Sequence, residues 1–242
     1  MNTRGQLGNA PAIPGPGVQS NVPAQVSGIT NATQIAVGFD HACALLEDRT
    51  VRCWGDNTYG QYGNNTGGNG VFGNTPQQAD LSDVIAISAG NKFTCALLNN
   101  STVKCWGAGA SGTLGNGVSV NSQRTPDSVV SGEESGAVLT RITAISSTQN
   151  SSCGMRKSTG TTQLVCWGQN AFGQRGLGNT NNSIYRRSYE VPGMIDIASI
   201  SQASTEYTFC AISSTGTPYC FGNNDSNQTG VDHMIIDSVQ GL

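Results

Sequence analysis

Apolar residues in this chain come in short clusters that recur four times, and inside each cluster they alternate with small or polar residues. The first kind of cluster reads Gln34-Ile35-Ala36-Val37-Gly38, then Val84-Ile85-Ala86-Ile87-Ser88-Ala89-Gly90, Arg141-Ile142-Thr143-Ala144-Ile145-Ser146 and Asp196-Ile197-Ala198-Ser199-Ile200-Ser201. A second cluster follows each. It opens with Cys43-Ala44-Leu45-Leu46 and closes with Val51-Arg52-Cys53-Trp54-Gly55, and it recurs from Cys95 to Gly107, from Cys153 to Gly168 and from Cys210 to Gly222. Runs this short, with a period of two and turn residues between them, predict antiparallel β-strands.

The register follows from the cysteines. Within a unit they are separated by 10, 10, 13 and 10 positions, so a turn midway sets each pair opposite one another on neighbouring strands. That register also sets Leu45 opposite Val51, Leu97 opposite Val103 and Met155 opposite Leu164, which keeps apolar side chains and sulfurs on one face. Each hairpin is followed by a glycine-rich loop, as in Asp56-Asn57-Thr58-Tyr59-Gly60-Gln61-Tyr62-Gly63, and then by a segment containing a proline, such as Thr75-Pro76-Gln77. Four extended pieces per repeat predict one small antiparallel sheet per repeat.

Successive first cysteines lie 52, 58 and 57 residues apart, a period that suits one propeller blade. The repeats divide the chain at approximately 1–28 (partial), 29–80, 81–138, 139–193 and 194–242, within a single domain. Asn2-Thr3-Arg4-Gly5-Gln6-Leu7-Gly8 reads as the glycine loop of a unit that has no cysteine hairpin, so there are four hairpins and five tails. The expectation is an all-β propeller, a partial or small ring of four to five blades. Self-association or a larger parent chain would relieve the exposed edges of an open ring.

The motifs Cys-Ala-Leu-Leu, Val-x-Cys-Trp-Gly and Gly-Gln-x-Gly, in that order and at this period, resemble the regulator of chromosome condensation repeat in the cysteine-bearing form of secreted and surface proteins. The resemblance touches nearly the whole chain. It is clearest in the first two units and weakest in the fourth, where Phe221 replaces the tryptophan. It implies a β-propeller, usually seven-bladed. It also implies that the segment between the first strand and the hairpin faces a partner.

That segment lies on one rim and varies from unit to unit: Phe39-Asp40-His41, Asn91-Lys92-Phe93, Gln149-Asn150 and Glu206-Tyr207. These ten residues are the candidate ligand-binding set, and they fit recognition of a protein or glycan, since aromatic and charged groups on a rigid rim are what a binding surface uses. A related secreted propeller family that blocks β-lactamases implies a second reading, an enzyme inhibitor. Nucleotide exchange on a small GTPase, known among nuclear members, fits poorly with paired cysteines.

Composition narrows the classes. The 242 residues carry a net charge of −3, which gives no basic face for nucleic acid. The eight cysteines in regular pairs favour disulfides, Cys43 with Cys53, Cys95 with Cys105, Cys153 with Cys166 and Cys210 with Cys220, in an oxidising compartment, extracellular or at the cell surface. Zinc is the rival reading, but zinc pairs sit closer in sequence and only His41 and His233 could add ligands. No run of apolar residues is long enough to span a membrane, and Met1 is not followed by a signal peptide, so the chain reads as a mature or cloned portion rather than a complete secreted precursor. Asp40 and Glu206 stand singly, His41 has no nucleophile beside it, and the glycine loops carry no P-loop lysine. No catalytic residue, metal or cofactor is expected, and the tryptophans are read as blade packing.

Overall fold

In a computed structural model of the protein, residues 2–9, 20–110, 112–118, 120–132, 136–180, 185–201 and 207–225 are described. Among them are fifteen strands in four antiparallel sheets and no helix. The first blade is β1 (Ala32–Val37), β2 (His41–Leu46), β3 (Val51–Asp56) and β4 (Phe72–Gln78). The second is β5 (Val84–Ala89), β6 (Phe93–Leu98), β7 (Val103–Ala108) and β8 (Ser122–Ser128). The third is β9 (Ile142–Ser147), β10 (Ser151–Ser158), β11 (Thr161–Gly168) and β12 (Tyr185–Glu190), and the fourth has β13 (Ile197–Ile200), β14 (Thr208–Ser213) and β15 (Pro218–Gly222). Each sheet is a meander in chain order, and β1, β5, β9 and β13 touch one another in sequence as the inner strands. This is the β-propeller architecture.

The central hairpins pair Cys43 with Cys53 and Leu45 with Val51, Cys95 with Cys105 and Leu97 with Val103, and Cys153 with Cys166 and Met155 with Leu164. Local chemistry holds that register. In the first two hairpins a non-glycine residue takes the left-handed position, Arg49 at φ 63° and Ser101 at φ 63°. The strain is offset beside it, where Asp48 Oδ1 accepts from Thr50 N and Oγ1 and Asn100 Oδ1 accepts from Thr102 N and Oγ1.

Disulfides join Cys43 to Cys53, Cys95 to Cys105, Cys153 to Cys166 and Cys210 to Cys220, each with Cα atoms 4.1 Å apart. Because neighbouring strand residues point to opposite faces, the sulfur of a hairpin faces one neighbouring blade and the tryptophan beside it faces the other. Thus Cys43, Leu45, Val51 and Cys53 pack with Val84, Ile87 and Trp106 of the second blade, and Cys95, Leu97 and Cys105 pack with Ile142, Ile145 and Trp167 of the third. Cys153, Met155 and Cys166 pack likewise with Ile197, Phe209 and Phe221 of the fourth. The hydrophobic core therefore lies between blades, and no blade buries its two faces alone.

On its other face the first blade buries Ala42, Ala44, Leu46 and Trp54 against Ile29 and Val26. The N-terminal loop completes that cover. Trp54 Nε1 donates to the carbonyl of Gln6 at 2.9 Å, and Gly8 (φ 67°) lies so close to the indole that a Cβ there would sit 2.8 Å from Nε1. Residues 2–9 thus occupy, toward the first blade, the place that each later glycine loop occupies toward the next.

Candidate rim site

The rim segments form one repeated turn. Gly38 N donates to His41 O, Gly90 N to Phe93 O and Thr148 N to Ser151 O, at 2.9, 3.0 and 2.8 Å. The carbonyl one residue earlier accepts from the end of the hairpin: Asp40 O from Asp56 N, Lys92 O from Ala108 N, Asn150 O from Gln169 N and Tyr207 O from Asn223 N, at 2.7 to 3.0 Å. Glycine follows each aromatic of the hairpin because the chain passes against that carbonyl with positive φ, 100° at Gly55, 104° at Gly107, 99° at Gly168 and 116° at Gly222.

Successive rims are joined to each other as well. Phe39 N donates to Asn91 O and Asn91 N to Gln149 O, both at 3.0 Å, so three blades present a backbone-linked ridge. Along it Phe39 is 69% exposed, while Asp40, Asn91, Lys92, Gln149, Asn150 and Tyr207 are half-buried. Glu206 lies outside the described residues.

Two of the candidates do not belong to the surface. His41 and Phe93 are each 1% exposed, because they open β2 and β6 with their rings turned inward against Gly38 and Gly90. His41 Nε2 lies 2.9 Å from Thr94 Oγ1 of the second blade, and its buried Nδ1 has no hydrogen-bond partner among the described residues. Burial lowers its pKa to about 4, against a smaller raising effect of Asp56. Phe93 fills the same place in the second blade, while Ser151 and Thr208 fill it in the third and fourth, so the position is buried in every blade and holds a ring in the first two.

The glycine loops supply rim residues that the sequence reading did not single out. Their shared backbone is set by Asn and Gln: Leu7 N, Tyr62 N and Arg175 N donate to Asn2, Asn57 and Asn170 Oδ1, and Arg4 N, Tyr59 N and Phe172 N donate to Gln6, Gln61 and Gln174 Oε1. Aligning those loops brings Arg4, Tyr59 and Phe172 to one position, each beside the rim. The Lys92 ammonium lies 5.2 Å over the Tyr59 ring, the rings of Phe172 and Tyr207 are 4.7 Å apart, and Arg4 Nε lies 4.0 Å from Asp56 Oδ1. Gln6 Nε2 donates to Asp40 Oδ1 at 3.3 Å. The loop alignment was the signal that would have found these residues.

Among the described residues no group of three or more His, Cys, Asp or Glu side chains could hold a metal ion. Tyr62, whose hydroxyl donates to Gly55 O at 2.8 Å, has its pKa raised to about 12, by burial first and by Asp56 second, so it serves as a fixed donor. The arrangement suits recognition through side chains held on a stiff edge.

The chain is similar to known proteins over the same repeats. Two profiles of the regulator of chromosome condensation (RCC1) repeat match it, one at residues 32–61 and 84–113, the other at 1–45 and 50–97. It is 28% identical over 197 residues to the probable E3 ubiquitin-protein ligase HERC6 of Homo sapiens, covering 81% of this chain and 18% of that protein. It is 33% identical over 105 residues to the ultraviolet-B receptor UVR8 of Arabidopsis thaliana, covering 41% and 23%. The chain spans less than a quarter of either relative. Among solved structures, human WBSCR16 superposes with a TM-score of 0.74 at 16% identity, over 97% of this chain and 58% of that one. Prp20p from Saccharomyces cerevisiae superposes with a TM-score of 0.61 at 23% identity, over 80% and 44%. These superpositions share the propeller fold.

Proposed function

We propose that this cysteine-bearing β-propeller, which matches the regulator of chromosome condensation repeat over its first two blades, is a recognition module that binds a protein partner through the rim built by Phe39, Asp40, Asn91, Lys92, Gln149, Asn150 and Tyr207, in an extracellular or cell-surface setting. The observation that carries this reading is the backbone linkage of Phe39 to Asn91 and of Asn91 to Gln149. It makes three differing rim segments into one rigid surface, so little ordering entropy is lost when a partner docks. Phe39, the most exposed of these residues at that edge, is the apolar anchor. A structural neighbour also takes a protein partner, since yeast RCC1 (Prp20) has been solved bound to Kap60. The four disulfides support an oxidising environment.

The test is retention of secreted and surface proteins on the immobilised propeller, beside a glycan array read with the same material. The comparison uses Phe39→Ala and Tyr207→Ala on the rim and Lys157→Ala on the exposed end of β10, at the opposite end of the blades. A protein held by the wild type and by Lys157→Ala but lost by both rim variants supports the reading. Equal retention by all three variants overturns the rim, and retention of glycans alone overturns the protein class.

A further inference from the structure

The four rim positions differ in what covers them. At the junction of the first and second blades Tyr59 reaches the Lys92 side chain, and at the junction of the third and fourth Phe172 lies on Tyr207. Between the second and third blades the described loop residues, Ala108, Gly109, Ala110 and Gly112 to Gly115, carry no aromatic ring. A hollow of about 320 Å³ opens there. It is lined by Tyr59, Asn91, Lys92, Phe93, Ala108, Ala110, Thr113, Asn121 and Asn150.

Two groups in its lining have no hydrogen-bond or ionic partner among the described residues. Asn91 Oδ1 is buried and accepts no hydrogen bond among the described residues. A buried acceptor left without a donor costs free energy that a ligand N–H would recover. Lys92 forms no ion pair among the described residues, and its ammonium lies only against the Tyr59 ring, a contact that leaves its hydrogen-bonding capacity free. The other polar groups are largely taken: Thr113 Oγ1 donates to Ala108 O, and Asn150 Nδ2 donates to Gln169 Oε1 at 3.0 Å. Phe93 and the alanines supply an apolar wall.

From this geometry we infer that the hollow between the second and third blades is a subsite for an acidic side chain of a peptide, with the ligand carboxylate on Lys92 and an adjacent backbone N–H on Asn91. A carboxylate needs a cation, and the peptide unit that carries an aspartate or glutamate brings an N–H donor within a few bonds of it. The two unpartnered groups call for that combination, and charge-assisted pairing with lysine makes it selective over the neutral amide. The inference deepens the proposed protein-binding role and rests on the rim being the binding face.

The probes are N-acetyl-Gly-Asp-Gly-amide, its Asn counterpart and N-acetylneuraminic acid, titrated separately into the isotopically labelled protein and followed by amide and side-chain chemical shifts. The Asp peptide is expected to shift Tyr59, Asn91, Lys92 and Asn150 together, at least fivefold more tightly than the Asn peptide. Lys92→Gln is expected to weaken it at least tenfold while leaving the rest of the spectrum in place. Equal binding of the two peptides, binding that survives Lys92→Gln, or no shift at these residues overturns the subsite. A response to N-acetylneuraminic acid alone overturns the peptide as its ligand. Failure here with loss of partner retention in Phe39→Ala leaves the rim standing, whereas retention by every rim variant removes the rim itself.

Discussion

The indole Nε1 of Trp106, on the second blade, donates to the backbone carbonyl of Gln61 in the glycine loop of the first, at 2.8 Å. Trp54 makes the same bond to Gln6 O at 2.9 Å and Trp167 to Thr113 O at 3.0 Å. Every such pair latches one blade to the loop before it, and in each the loop ends on a glycine, Gly8, Gly63 or Gly115, packed against the indole. Position 221 holds phenylalanine, which keeps the packing and cannot make the bond.

Trp106→Phe removes the latch and keeps a ring, though a smaller one, in the buried site. It leaves Gln61 O without its indole donor and is expected to destabilise by about 1 to 3 kcal/mol. Trp106→Ala also empties a fully buried site and is expected to cost about 3 to 5 kcal/mol. Denaturant unfolding of the two variants checks the order, and a Trp106→Phe variant as unstable as Trp106→Ala would contradict it.

Gly63→Ala attacks the same latch from the loop side. Gly63 has φ 71°, and an added Cβ would lie 2.8 Å from Trp106 Nε1. Left-handed strain alone costs about 1 to 2 kcal/mol, and the contact adds to it. Gly28→Ala has similar strain, φ 74°, and open space around it. The expected result is a larger fall in melting temperature for Gly63→Ala than for Gly28→Ala.

His41 gives the fold a pH dependence of known sign. Its pKa is about 4 in the fold and 6.5 when unfolded, so the unfolded chain binds the proton more tightly. The stability this histidine preserves is complete above pH 6.5, declines as pH falls toward 4 and is lost below it. A shift of that size corresponds to about 3 kcal/mol. His41→Phe, which copies the ring found at Phe93, is expected to flatten this part of the stability profile measured between pH 7 and pH 4.

Replacing both Cys95 and Cys105 by alanine is expected to lower stability by about 2 to 3 kcal/mol through the entropy of the opened loop. Non-reducing peptide mapping of the wild type should return only links within a hairpin. A link between different blades would show that the register had been misassigned.

Gly107→Ala tests the connection between hairpin and rim. The glycine has φ 104°, and a Cβ would sit 2.5 Å from Lys92 O, the carbonyl that Ala108 N holds. The substitution is expected to lower the melting temperature and to weaken ligand binding together, with the shifts of Asn91 and Lys92 disturbed first.

Strand positions and register were legible because alternation, cysteine spacing and turn residues act over a dozen residues or fewer. Leu45 opposite Val51 needs nothing beyond that. The rim was legible as a location, since Phe39, Asp40, Asn91, Lys92, Gln149, Asn150 and Tyr207 all fall between an inner strand and a hairpin. Its membership was not. His41 and Phe93 share that location and are buried, because which way the first residue of a hairpin points depends on the neighbouring blade it meets. Arg4, Tyr59 and Phe172 were missed for the converse reason, since they reach the rim from loops that precede it by a whole blade boundary.

The repeat, its strands, the hairpin register and the blade as the unit follow from short-range periodicity and backbone stereochemistry, and so could be read from the amino-acid order. Which face of each hairpin meets which neighbour, with sulfur toward one blade and tryptophan toward the other, emerges from the packing of whole blades. The same packing sets where the rim closes over an aromatic and where it leaves a hollow. Those outcomes depend on groups far apart in the chain, such as the Gln61 carbonyl and the Trp106 indole 45 residues on, whose contact exists only once two blades have packed.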